Sequence, residues 1–169
     1  MSLTRLGAPS SAVCLRALRS DDIDTVLSIQ REAYADGYQE SAEVLGRKLS
    51  LAPGACWLAE REGRGLAYII AHPWSDNAPP LHAAIERLPA GAEFGFVHDL
   101  AVSARARGAG VGAGLFAKVQ TWAQHCGLRG LRLVALADAR AYWCGLGFVA
   151  TPTPLPAAYG AGAVFMRRN

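Results

Sequence analysis

Phe94-Gly95-Phe96-Val97-His98-Asp99-Leu100-Ala101-Val102, then Ser103-Ala104-Arg105-Ala106, then Arg107-Gly108-Ala109-Gly110-Val111-Gly112, is the stretch whose reading decides the fold. Its first part is apolar and β-forming and is expected to be a strand. The part after the glycines carries Val111, Leu115, Phe116, Val119, Trp122 and Ala123 at helical spacing. A helix is therefore expected from Gly108 to about Cys126, with Gly127 as its stop. Glycines at a strand-to-helix turn let backbone N–H groups approach a ligand, and the first N–H groups of a helix lack internal partners. Such a turn is a site for an anion. The helix dipole supplies only about 0.3–2 kcal/mol, so converging amides and the Arg107 guanidinium must carry much of the grip.

Two other phosphate-binding turns fit poorly. A Walker loop ends in Gly-Lys-Ser/Thr, whereas Gly112 is followed by Ala113-Gly114. A dinucleotide fingerprint needs Gly-x-Gly-x-x-Gly in an early βαβ unit, and here the spacing is Gly-x-Gly-x-Gly beyond mid-chain.

Working outward, Val13 to Arg19 reads as a strand, and Ser20-Asp21-Asp22 caps a helix carrying Ile23, Val26, Leu27, Ile29 and Ala33. A second helix is expected over Ser41 to Leu51, where Val44, Leu45, Lys48 and Leu49 share faces. The runs 56–60 and 65–71 flank Arg61-Glu62-Gly63-Arg64 as a hairpin, and 73–89 reads as a long surface excursion. Toward the C-terminus a strand (Leu131 to Leu136), a short helix (Ala139 to Leu146), a strand from Phe148 and an edge strand over Ala163 to Arg168 are expected. This order implies a mixed α+β layer protein forming a single domain over 1–169, with 1–12 a flexible lead-in.

With 169 residues, 51% hydrophobic and 18% charged, the chain can bury a core and is not a disordered polymer. The net charge of +3 is scattered and forms no basic stripe, which argues against a nucleic-acid partner. Cys14, Cys56, Cys126 and Cys144 show no metal-ligand or CxxC spacing, so no metal is expected. The N-terminus has no apolar signal core before Pro9, and the apolar run 65–71 is far shorter than the roughly 20 residues of a membrane span. A cytoplasmic protein without a membrane partner is the expectation.

A second motif stands at Tyr142-Trp143-Cys144-Gly145-Leu146-Gly147-Phe148. Together with Leu100-Ala101-Val102 and Arg107-Gly108-x-Gly110-x-Gly112, it resembles the GNAT superfamily of acyl-CoA N-acyltransferases. Those enzymes share an Arg/Gln-x-x-Gly-x-Gly/Ala turn and an aromatic-aromatic-x-x-Leu-Gly-Phe segment. The resemblance spans roughly Val13 to Val149. It implies a twisted, mostly antiparallel mixed sheet with helices on both faces, whose fourth and fifth strands splay around the cofactor. It implies acetyl-CoA as co-substrate, with Leu100, Ala101 and Val102 beside the pantetheine arm. The turn Arg107, Gly108, Ala109, Gly110, Val111, Gly112 and Ala113 would hold the pyrophosphate, and Trp143 would line the channel. The acceptor implied is an amine on a small molecule or peptide, and a homodimer is left open.

Transfer from a thioester to an amine needs a neutral amine, and a lysine-like amine of pKa about 10.4 costs about 4–5 kcal/mol to neutralise at pH 7. Glu93, His98 and Asp99 are the candidate bases. Strict alternation puts His98 on the face of Leu100 and Val102, and Asp99 opposite with Ala101. Where many relatives place a proton-donating Tyr, this chain has Trp143, leaving Tyr142 as the candidate acid. An acyl-CoA-binding sensor without turnover is the alternative reading. Residues named for the acceptor wall are Tyr34, Asp36, Tyr38, His72, Trp74 and His82.

Overall fold

The computed structural model describes residues 12–169. The expected lead-in therefore lies, but for Ala12, outside the described residues. Seven strands form one sheet in the order β1-β2-β3-β4-β5-β7-β6. They are β1 (Cys14–Ala17), β2 (Cys56–Arg61), β3 (Arg64–Trp74), β4 (Phe94–Val102), β5 (Leu131–Ala135), β6 (Val149–Thr151) and β7 (Val164–Arg168). Every neighbouring pair is antiparallel except β4 and β5. The helices are α1 (Ile23–Ala33), α2 (Ala42–Leu51), α3 (Val111–His125) and α4 (Arg140–Gly145).

Both faces of the sheet are covered. On one, Val26 and Ile29 of α1 and Leu45 and Leu49 of α2 pack with Leu58, Tyr68 and Ile70. On the other, Val111, Leu115, Phe116, Val119 and Ala123 of α3 pack with Ala67, Ile69, Ala71 and Leu133. Each Val, Leu, Ile or Phe side chain among these contributes about 1.5–3 kcal/mol when fully buried. Ser41 caps α2 by accepting from the Val44 N–H at 3.3 Å, as its residue type favours. The hairpin turn falls on Glu62 and Gly63, both with positive φ, the conformation that a two-residue turn with native twist demands.

Two expectations change. The last strand is not an edge: β7 lies between β5 and β6, and short β6 is the rim. In β4 the alternation breaks. Ile70 pairs with Asp99 and Ala71 with Val97, so His98 is an extra residue with no register partner. This is a β-bulge. Its effect shows in the packing, since Val97 belongs to the α3 core and Ala101, four residues on, to the α1/α2 core. Strand β3 also runs on through Pro73 and Trp74 before the excursion begins.

No helix among the described residues is long and apolar enough to cross a membrane. The excursion is fastened rather than loose. Arg132 of β5, 2% exposed, binds Asp76 and lies over the Phe94 ring at 3.8 Å. Arg47 donates to the Ile85 carbonyl at 3.0 Å, and Tyr159 to the Pro79 carbonyl at 2.7 Å.

At the base of β5, a Cβ on Gly130 would stand 2.5 Å from the Arg168 carbonyl oxygen and 2.9 Å from the Asn169 Cα. Backbone cannot yield as a side chain can. Gly130→Ala is expected to cost about 1–3 kcal/mol, whereas Gly46→Ala in α2, with open space around it, should gain about 0.4–1 kcal/mol. Urea unfolding of the two variants checks both signs.

Candidate active site

Strands β4 and β5 start side by side and then part. Their parallel pairing comprises Gly95 with Leu131 and Phe96 with Arg132. Beyond that point β5 stays paired with β7 through Ala135, while β4 keeps only its β3 neighbour. The gap opens into a cavity of about 790 Å³ lined by Val97 to Val102 on one side and by Leu133, Val134, Trp143 and Asp138 on the other. That volume is ordinary for a small-molecule or cofactor site.

The glycine turn forms one end of this cavity. Gly108 and Gly110 have φ of 78° and 72°, a region where a Cβ is strained. Gly110 caps α3, and the first main-chain bond of that helix is Gly114 N–H to the Gly110 carbonyl at 3.1 Å. The N–H groups of Val111, Gly112 and Ala113 precede that bond and have no acceptor within the helix. Arg107 through Gly110 and Ala113 are exposed, Val111 and Gly112 are buried, and the Ala109 N–H bonds the Ala106 carbonyl at 3.3 Å. Gly112 has a separate reason to lack a side chain, because a Cβ there would lie 2.7 Å from the Tyr142 hydroxyl.

That contact places Tyr142. It is 45% exposed, with its hydroxyl over the start of α3. The ring lines the cavity beside the turn that begins α3. Burial raises its pKa above the ordinary phenol value. Trp143 is buried between Phe116 and Phe148 in edge-on contacts at 5.9 and 5.5 Å. It lines the channel and anchors α4.

The candidate bases separate clearly. Glu93 pairs with Arg129 at 3.0 Å on the surface and does not line the cavity. His98 and Asp99 both line it. The bulge overturns the expected opposition of these two side chains, since both reach toward the α1/α2 side. Asp99 accepts a hydrogen bond from Tyr68, a member of the α1/α2 core. Burial pushes the Asp99 carboxyl up, against the Tyr68 hydrogen bond that pulls it down. Tyr34 donates to the Leu100 carbonyl at 2.8 Å. Both phenols are raised well above their ordinary value by burial and by the Asp99 charge.

His98 Nε2 lies 2.6 Å from Glu40 Oε2. Glu40, which precedes α2, is 6% exposed, and its Oε2 is also 3.3 Å from the fully buried Lys48 Nζ. Its Oε1 accepts from the His82 N–H at 2.7 Å. Burial alone would raise the Glu40 carboxyl, but the His98 bond, the His98 and Lys48 charges and the His82 N–H together hold it at about 2. Lys48 is lowered by burial and supported by Glu40. His72 lies with its ring 5.9 Å from that of His98 and is lowered to about 3, chiefly by burial. Of the residues expected in the acceptor wall, Tyr34 and Tyr38 line the cavity. The other four do not. Asp36 accepts from Gln39 and Trp74 donates to Asn77. His82 meets the Gly37 carbonyl, and His72 is buried beneath the sheet's α1/α2 face.

A largely antiparallel sheet opened between its two parallel strands is a fold shared with solved GNAT structures. The model of the acetyltransferase (GNAT) family matches residues 23–148, and the chain belongs to that family. No curated protein matches the sequence. Among solved structures it is similar to the loading GNATL domain of CurA from Lyngbya majuscula, with a TM-score of 0.75 and 12% identity, covering 92% of this chain and 96% of that one. It is similar to Ard1 from Thermoplasma volcanium, with a TM-score of 0.70 and 18% identity, covering 93% and 97%. Naa50 from Arabidopsis thaliana, in complex with the bisubstrate analogue CoA-Ac-MVNAL, gives a TM-score of 0.64 and 18% identity over 93% and 98%.

Because its folded-state pKa is depressed, Glu40 contributes stability that is present above about 4.5, its ordinary value, and is lost as pH falls toward about 2. In Glu40→Gln that contribution cannot titrate. The stability gap between wild type and variant should narrow as pH drops through this window, measured by urea unfolding from pH 6 to pH 2.5.

Proposed function

We propose that the chain moves an acetyl group from acetyl-CoA to a primary amine of a small molecule or a peptide, by direct attack and without an acyl-enzyme. The observation that carries this reading is the parting of β4 from β5 above a turn that presents unpaired amides. The free edge of β4 suits the amide-bearing pantetheine arm, beside Leu100, Ala101 and Val102. The turn from Arg107 to Ala113 suits the pyrophosphate, with Tyr142 as a further hydroxyl at the same place. Bound there, acetyl-CoA supplies an activated thioester carbonyl.

The remaining work falls to this chain's residues. Strand β4 N–H groups beyond the last β5 pair are available to a developing oxyanion. His98 and Asp99, brought to one side by the bulge, are the groups that can take the amine's proton. Trp143 has no useful acid proton, and a thiol of pKa about 8.5 needs little help to leave. The bisubstrate peptide analogue on the Naa50 structure supports a peptide amine as one form of acceptor. A second reading, an acyl-CoA-binding sensor without turnover, is favoured by Trp143 alone.

Thiol release from acetyl-CoA across a panel of primary amines separates the two. Amine-dependent release is expected, while binding with no release from any amine supports the sensor. For the turn, calorimetry with acetyl-CoA should show Gly110→Asp weakening binding at least tenfold. Gly110→Asn, similar in bulk and in its tolerance of positive φ but uncharged, should lose less. Equal affinity in wild type and Gly110→Asp contradicts a phosphate at this turn.

A further inference from the structure

We propose that His98 is the proton acceptor of the transfer and that Glu40 is the positioning residue that fixes its tautomer. This rests on the acetyltransferase reading above and goes beyond it by choosing between two candidate bases and assigning a role to a residue of the α1–α2 connection.

The geometry is specific. Glu40 is clamped at both ends: its main-chain N–H and carbonyl bond the Gln30 side chain at 2.9 Å each, and its carboxylate meets the His82 N–H and Lys48. Side chains of His98 and Glu40 are 2% and 3% exposed. An ionised carboxylate only accepts hydrogen bonds. At 2.6 Å from it, Nε2 of His98 must carry the ring proton. In the neutral ring the lone pair belongs to Nδ1, which is buried and has no hydrogen-bond partner among the described residues. Buried ring nitrogens rarely go unmet in native structures, and His98 lines the cavity. Because Nδ1 is itself out of solvent contact, a proton arriving from the amine meets that need by relay through one water. The bulge explains how: the extra residue lets His98 reach Glu40 although Asp99, next to it, also serves the α1/α2 side.

Asp99 is the poorer acceptor. Its carboxyl is taken by the Tyr68 hydroxyl. The groups facing His98 are Glu40 and Lys48, which form a buried ion pair, His72 from β3, held neutral, and Asp99. Only Glu40 touches the ring through a hydrogen bond, so an imidazolium formed at His98 is stabilised chiefly by that carboxylate.

The step balances. The ammonium N–H bond breaks as its proton passes to Nδ1, leaving a neutral amine and an imidazolium. The amine lone pair attacks the thioester carbon, a C–N bond forms, the C–S bond breaks and coenzyme A departs as thiolate. The second amine proton neutralises the thiolate through solvent, and His98 returns its proton to water. The products are an amide, a free thiol and one proton.

The test is the pH dependence of kcat/KM for wild type, Glu40→Gln, His98→Gln and Asp99→Asn, with acetyl-CoA affinity measured in parallel. The expected result is an acidic limb that moves to lower pH by about one unit or more in Glu40→Gln. In His98→Gln the limb should vanish with a rate loss of about 10²–10⁴-fold. Asp99→Asn should leave the limb in place. A limb unmoved by Glu40→Gln, or abolished by Asp99→Asn, overturns the proposal. Ring ¹⁵N shifts of His98 in the wild-type protein give a readout that needs no variant to fold. Protonated Nε2 with bare Nδ1 supports the assignment, and the opposite tautomer overturns it. Acetyl-CoA binding without turnover on any amine instead overturns the transfer reading and, with it, any catalytic role for His98.

Discussion

Two parallel pairs, Gly95 with Leu131 and Phe96 with Arg132, tie β4 to β5 before the strands separate, and the site depends on their stopping there. A continuous ladder would satisfy the strand's main chain and leave nothing for a ligand. Instead the outer edge of β4 keeps its hydrogen-bonding capacity, which is costly to bury unmet and is therefore suited to an extended, amide-bearing partner. The base of the gap is kept tight by close approaches at Gly95 and Gly130, where a Cβ would meet the Leu131 side chain at 2.8 Å and the Arg168 carbonyl at 2.5 Å. Its far wall is set by Trp143, packed against Phe116 and Phe148.

The bulge at His98 is the second device on the same strand. It turns β4 from a simple alternating strand into one that serves the α3 core at Val97 and the α1/α2 core at Asp99 and Ala101. In doing so it delivers two adjacent polar side chains to one side of the gap. The ion pair beneath them, Glu40 with Lys48, is a poor source of net stability, since desolvating both charges offsets their attraction. Its value lies in geometry: it holds a carboxylate where an imidazole can find it.

The glycine turn and the elements around it were legible because their signals are local. Positive φ at Gly108 and Gly110, the stripe on α3 and the strand before them all follow from residue type and spacing. The faces of His98 and Asp99 were not legible, because alternation carries no mark of an inserted residue. The interior place of β7 was hidden too: Pro152, Pro154 and Pro156 look like an ending, yet the chain folds back between β5 and β6. Glu40 was missed because its partner lies 58 residues away, though Lys48 on the apolar face of α2 was a signal. A lysine among Val44, Leu45 and Leu49 needs a buried acid, and Glu40, eight residues upstream, supplies it although Glu43 is nearer in the sequence.

The central claim is that the parted strands and the glycine turn hold one acyl-CoA. Amide hydrogen exchange with and without coenzyme A tests it most directly. Slowed exchange confined to Val97–Val102 and to the turn from Gly108 to Ala113, with β1, β2 and β6 unchanged, is the predicted outcome. Saturating coenzyme A that leaves both segments unprotected would contradict the account.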